Sequence, residues 1–98
     1  MGGRCAGEQR VVLGPRTEVG RDEGCGLRIG ERSISSRHAR LVGDGEGWSV
    51  RDLGSTNGTQ LDDERLAPGR YVPLRVGARL VFGTDHAWTF TDDGPPDA

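Results

Sequence analysis

The sequence predicts an all-β domain, a β-sandwich of two antiparallel or mixed sheets. Eight short segments of β-type residues follow one another, and none reaches the length of a helix. Clusters of Gly, Pro, Asn and Asp separate them. Strand signals at this close spacing, with no amphipathic helical stretch between them, argue for two sheets sharing a thin core.

The first segment, Arg10 to Leu13, carries two valines and ends at Gly14-Pro15. Thr17 to Gly20 follows, and Gly24-Cys25-Gly26 separates it from Leu27 to Ile29. Ala39 to Val42 runs into Gly43-Asp44-Gly45. In Trp48 to Asp52 the residues approach an apolar/polar alternation of period two, which puts one face on a core and the other in water. Three turn signals come next: Asn57-Gly58, Asp62-Asp63 and Ala67-Pro68-Gly69. Tyr71 to Leu74, Arg79 to Phe82 and Ala87 to Thr91 complete the set, the last with a second period-two pattern through Trp88 and Phe90. Trp48, Trp88, Phe82 and Leu80 are expected to supply much of the core. Met1 to Gly7 reads as a frayed tail. The residues after Asp92 are too polar and proline-rich to continue a sheet, so residues 92–98 read as a tail or linker and residues 8–91 as one domain.

Composition narrows the function classes. A chain of 98 residues with no apolar run of membrane-spanning length is expected to be one soluble domain. Its net charge of −2 lacks the basic footprint of a nucleic-acid binder. All 13 basic residues are Arg, and each guanidinium can grip a phosphate in a bidentate way. Genomic base composition accounts for the bias itself, so particular arginines matter more than their number. Cys5 and Cys25 read as reduced and incidental. The N-terminus has no apolar h-region, and Ala6 stands where a myristoylation signal needs Ser or Thr, so a cytoplasmic location is expected, with no membrane partner and no cofactor.

Three loop motifs remain: Gly20-Arg21, Ser35-Ser36-Arg37-His38-Ala39, and Asp52-Leu53-Gly54-Ser55-Thr56-Asn57-Gly58-Thr59. In order, residue type and spacing they resemble the signature of forkhead-associated (FHA) domains. That signature is a Gly-Arg pair, a Ser-x-x-His motif and a Ser/Thr-Asn-Gly motif. The segment from Leu74 to Gly83 is similar to the family's closing strand and Phe-Gly pair, with Ala78 where Asp is frequent. The resemblance covers roughly Val11 to Phe90. It implies an FHA/SMAD-like sandwich with binding loops at one end, and a phosphothreonine-recognition module without catalytic activity.

Residue by residue, the resemblance makes Arg21, Ser35 and Thr56 the phosphate-binding set. Asn57 and Ser36 would contact the peptide main chain, Ser36 standing where many members carry Asn. Ser33 occupies the position that helps choose the residue three places after the phosphothreonine. Gly20, His38 and Gly58 would support the site. The chemistry suits the assignment independently. A phosphothreonine presents about −1.5 to −2 charge and three strong acceptors, so it needs convergent charge-assisted donors. A guanidinium and two hydroxyls on Gly-rich loops anchored to a rigid sandwich are such a set.

The implied partner is a phosphothreonine-containing protein or peptide, in trans or within the same parent protein, with a link to a Ser/Thr kinase; a monomer is expected. The alternative is a phosphate-independent docking or dimerisation domain. Other readings of the same residues are weaker. Ser35 and His38 as nucleophile and base lack an oxyanion hole, and His38 with His86 falls short of the three or more ligands a metal site needs. Asp52 reads as a loop brace rather than an acid catalyst. Arg37 and Arg40 flank the site, where general attraction for an acidic peptide and a solvated strand face are about equally good accounts.

Overall fold

The computed structural model describes residues 3–6, 10–13, 15–43, 47–84 and 86–92. They form eleven strands and no helix: β1 (Gly3–Ala6), β2 (Arg10–Leu13), β3 (Arg16–Gly20), β4 (Leu27–Arg28), β5 (Ala39–Gly43), β6 (Trp48–Asp52), β7 (Thr59–Leu61), β8 (Glu64–Arg65), β9 (Tyr71–Leu74), β10 (Arg79–Phe82) and β11 (His86–Asp92). One sheet has six strands in the order β2-β1-β11-β10-β7-β8, the other five in the order β4-β3-β5-β6-β9. All pairings are antiparallel except the short parallel contact of β3 with β4. The mixed β-sandwich expected from the sequence is the observed architecture.

Period-two alternation builds the core. In β6 the side chains of Trp48, Val50 and Asp52 point inward while Ser49 and Arg51 do not, and in β10 Leu80 and Phe82 point inward. Leu41 lies opposite Val50, and Leu80 opposite Trp88, so each sheet presents one apolar face. Trp48, Leu80, Phe82 and Trp88 are all buried, as expected, and Val19, Ile34, Leu41, Val50 and Phe90 join them. Trp48 and Phe90 meet across the layers with ring centroids 5.6 Å apart.

Three strands depart from the sequence reading. Gly3–Ala6, expected to be part of a frayed tail, forms β1 between β2 and β11, so its backbone groups are paired on both sides. β7 and β8 form a hairpin across Asp62-Asp63, which was read only as a turn. These pieces are three and two residues long, shorter than any window over which alternation shows. β11 also runs one residue further than expected, to Asp92. Residues 93–98, Met1, Gly2, Gly7, Gly14 and the Asp44-Gly45 part of an expected turn lie outside the described residues.

Strand order decides where the site sits. β6 belongs to one sheet and β7 to the other, so residues 53–58 cross between the layers at one end of the sandwich. The β3–β4 and β4–β5 connections and the turn after β10 meet that crossing through the hydrogen bonds described next.

Candidate functional site

β3 ends at Gly20, and Arg21 opens the loop to β4. Its N–H donates to the Ser35 carbonyl at 3.0 Å, and the next N–H, from Asp22, donates to the Ser36 carbonyl at 3.1 Å. Two successive backbone bonds zip the β3–β4 loop to the β4–β5 loop. Glycine is required at position 20 because a Cβ there would stand 2.2 Å from the Ser36 carbonyl oxygen. The Arg21 side chain is exposed and has no ion-pair partner among the described residues.

Ser35 then joins this pair of loops to the crossing segment. Its Oγ accepts the Thr56 N–H at 3.0 Å. That bond occupies a lone pair and leaves the hydroxyl hydrogen free to donate. The Thr56 side chain lies exposed beside it. Asn57 Nδ2 donates to the Ser33 carbonyl at 2.9 Å, so one amide hydrogen braces the neighbouring loop while the second hydrogen and Oδ1 stay available. Gly58 has φ of 88°, a left-handed conformation that ends the Thr56-Asn57 turn.

His38 holds the loops from beneath. It is fully buried, its Nδ1 accepts the Ser35 N–H at 3.1 Å, and its Nε2 lies 2.7 Å from the Gly58 carbonyl. A ring with an N–H donor at Nδ1 and a carbonyl at Nε2 must carry its proton on Nε2. Phe82 meets the ring edge to face at 5.9 Å. The Gly58 carbonyl also accepts the Gly83 N–H at 3.0 Å, which ties in the turn after β10. His38 therefore couples Ser35, in the five-stranded layer, to Gly58, where the chain enters the six-stranded one. No ring nitrogen is left for base catalysis or for a metal. His86 lies elsewhere, 3.6 Å from Glu31. Among the described residues no cluster of three or more His, Cys, Asp or Glu side chains could hold a metal ion.

Asp52 is the second brace. Burial pushes its carboxyl pKa up, but four hydrogen bonds to the ionised form outweigh that and hold it below the usual carboxylate range. They come from the hydroxyls of Ser55 at 2.6 Å and Thr59 at 2.7 Å, and from the N–H groups of Gly54 at 3.0 Å and Ser55 at 3.1 Å. The carboxylate thus shapes residues 53–59 around itself, which is the bracing role the sequence suggested. Sequence reasoning missed Thr59, whose hydroxyl is buried on that carboxylate, and Cys25, a free buried thiol that donates to the Ser36 carbonyl at 3.4 Å. Thr59 closes the Asp52–Thr59 motif, but residue type there does not announce which group its hydroxyl meets, and nothing around Cys25 announces a partner eleven residues on. Arg65 was also missed: its guanidinium lies about 3 Å from where a Cβ on Gly58 would be.

All nine residues singled out in the sequence, Gly20, Arg21, Ser33, Ser35, Ser36, His38, Thr56, Asn57 and Gly58, lie in or against these joined loops. A family model described as the FHA domain matches residues 17–83, two thirds of the chain. The chain belongs to the FHA family. Among curated relatives, the FHA domain-containing protein FhaB of Mycolicibacterium smegmatis is 39% identical over 72 residues, covering 72% of this chain and 46% of that protein. The chain thus spans less than half of that relative's length. The FHA domain of an Arabidopsis thaliana hypothetical protein superposes with a TM-score of 0.89 at 27% identity, covering 99% of this chain and 90% of that one. EmbR of Mycobacterium tuberculosis, solved in complex with a low-affinity phosphopeptide, superposes with a TM-score of 0.83 at 26% identity over 92% of this chain and 24% of its own. The FHA match takes in every residue of the loop assembly, from Gly20 to Gly83.

Proposed function

We propose that this FHA domain is a non-catalytic module that binds phosphothreonine peptides, with Arg21, Ser35 and Thr56 holding the phosphoryl group. The observation that carries the reading is the double use of Ser35. Its carbonyl fixes the backbone of Arg21 and its Oγ fixes the backbone of Thr56, so the loops that carry a guanidinium and two hydroxyls are tied together at their backbones. Loops joined before the ligand arrives lose less entropy on binding than loops that must be ordered by it. Arg21 supplies a charge-assisted, paired contact and the hydroxyls supply short ones. The phosphopeptide bound to EmbR supports the same chemistry in a relative.

Asn57 and Ser36 contact the peptide main chain, Asn57 with the amide groups that Ser33 leaves free, and Ser33 borders the side chains that follow. Burying the threonine methyl favours phosphothreonine over phosphoserine by about 0.8 kcal/mol before any void is counted. The interface is small, which puts affinity on the order of micromolar, suited to reversible signalling. The partner is a substrate of a Ser/Thr kinase, a separate protein or another part of the same one. The module acts as a cytoplasmic monomer without a cofactor.

The test is calorimetric titration with a phosphothreonine peptide library and its unphosphorylated twins. Phosphorylated peptides are expected to bind about a hundredfold or more tighter, and Arg21→Ala to remove that difference. Equal affinity for both twins, or full binding by Arg21→Ala, overturns the reading.

A further inference from the structure

Beside the loops, the five-stranded sheet carries a shallow basin of about 380 Å³ lined by Arg16, Glu18, Gly24, Gly26, Arg37 and Arg40. Part of its lining comes from the loops that carry the proposed phosphothreonine site. Gly24 and Gly26 belong to the loop that Arg21 opens, and Arg37 directly follows Ser36. Strand register places the rest. Glu18 lies opposite Arg40 across β3 and β5, and Arg16 precedes Glu18 by two residues, so all three side chains leave the sheet on one face.

Three guanidiniums face one carboxylate, and that carboxylate is already engaged. Glu18 Oε2 accepts Arg40 Nη2 at 2.8 Å and Nε at 3.3 Å, and Arg37 Nη1 stands 3.8 Å from Oε1. Arg40 is further held by the Tyr71 hydroxyl at 3.5 Å. The Arg16 side chain makes no hydrogen bond or ion pair among the described residues, and Arg37 is 67% exposed with only the long Glu18 contact. Asp22 and Glu23 are near in sequence but off the rim, and Asp22 Oδ1 is occupied by the Gly24 N–H at 2.9 Å. The basin therefore sets three guanidiniums against a single carboxylate, an excess of planar donors over anions.

We infer that this basin is a second anion subsite, which takes a carboxylate or a second phosphoryl group carried by the same phosphothreonine peptide. The inference rests on the phosphothreonine reading and deepens it: the peptide is tethered at Arg21, so a neighbouring anion reaches Arg16 and Arg37 at high effective concentration. Glu18 holds Arg40 in place. The gain per exposed pair is small, and two pairs amount to about three- to tenfold in affinity.

The experiment compares three peptides of one length by titration at low and physiological salt. One has phosphothreonine between alanines, one has Asp and Glu around it, and one has a second phosphothreonine nearby. Wild type is expected to prefer either anionic peptide about three- to tenfold, with the preference shrinking as salt rises. The Arg16→Gln/Arg37→Gln variant is expected to lose the preference and keep wild-type affinity for the alanine-flanked peptide. Arg75→Gln/Arg79→Gln, an equal charge change outside the basin, is expected to keep the preference. An anionic preference that survives in the double variant, equal weakening of all three peptides, or no preference in wild type overturns the subsite. Preference for only one anionic peptide identifies which group the basin takes and supports it. Binding of the alanine-flanked phosphopeptide no better than its unphosphorylated twin is a separate failure, that of the phosphothreonine site itself, and the subsite falls with it.

Discussion

At Gly20 a side chain has no room: a Cβ would stand 2.2 Å from the Ser36 carbonyl oxygen and 2.9 Å from Cys25 Sγ. Backbone cannot step aside as a flexible side chain can, so Gly20→Ala has to break the bonds that join the two loops or distort β3. A loss of more than about 2 kcal/mol in chemical denaturation is expected, together with loss of phosphopeptide binding. Wild-type stability in that variant would show that the loops have slack. His38→Ala removes one buried and one part-buried hydrogen bond and leaves a cavity against Phe82, which together cost about 3–4 kcal/mol. Asp52 ties the site to pH. Its folded-state pKa is depressed below its unfolded value of about 3.9, so its stabilisation is complete above that value and is lost as pH falls through the folded pKa. Denaturation curves of wild type between about pH 5 and pH 2 are expected to lose stability that Asp52→Asn, already weakened at pH 7, does not lose. Parallel curves for the two proteins would remove Asp52 from the account.

The β7–β8 hairpin turns on two residues with positive φ, Asp62 at 49° and Asp63 at 70°. Both values fall in the left-handed region of a type I′ turn, where Asp is tolerated and a β-branched residue is not. Asp63→Val is therefore expected to cost about 1–2 kcal/mol, while Asp63→Gly holds stability within about 0.5 kcal/mol, since the exposed Asp63–Arg79 pair at 3.6 Å contributes little. Equal loss in both variants, measured by urea midpoint, would mean that the ion pair and not the backbone matters. The same hairpin shows what the sequence leaves hidden. The Asp62-Asp63 turn was legible because turn chemistry is local, whereas its flanking strands are too short to display a period and are strands only because β10 is there to pair with β7. β1 is the same case, since Gly3–Ala6 has weak strand character of its own and gains its pairing from β11, some eighty residues later. Strands with large apolar residues at alternating positions, Trp48 and Val50 in β6 and Trp88 and Phe90 in β11, were readable because their pattern already encodes the buried face. In the candidate site the residue types and their spacing were legible through the motifs. The wiring was not, because Ser35 to Thr56 and His38 to Gly58 are contacts about twenty residues apart that only the closed sandwich creates.

That dependence on closure reaches the whole molecule. The loop from residue 53 to residue 58 leaves one sheet and enters the other, and the Gly58 carbonyl is held from both layers, by His38 and by Gly83. The donors of the proposed site hold their positions only while the two sheets are packed, so a ligand bound there stabilises the complete fold and not a detachable loop. Linkage gives the size: a ligand at a hundred times its Kd, with no affinity for the unfolded chain, adds about 2.7 kcal/mol. A chain of this length gains about 4–8 °C in Tm per kcal/mol, which makes the expected rise about 10–20 °C. Scanning calorimetry with a phosphothreonine peptide is expected to move one cooperative transition upward as a unit, and the unphosphorylated twin to leave it in place. If the loops were held by one sheet alone, hydrogen exchange would show protection gained at residues 21–36 and none in β10 and β11. Protection gained in β10 and β11 as well, on the layer opposite Arg21, is the outcome that a site wired through Gly58 requires.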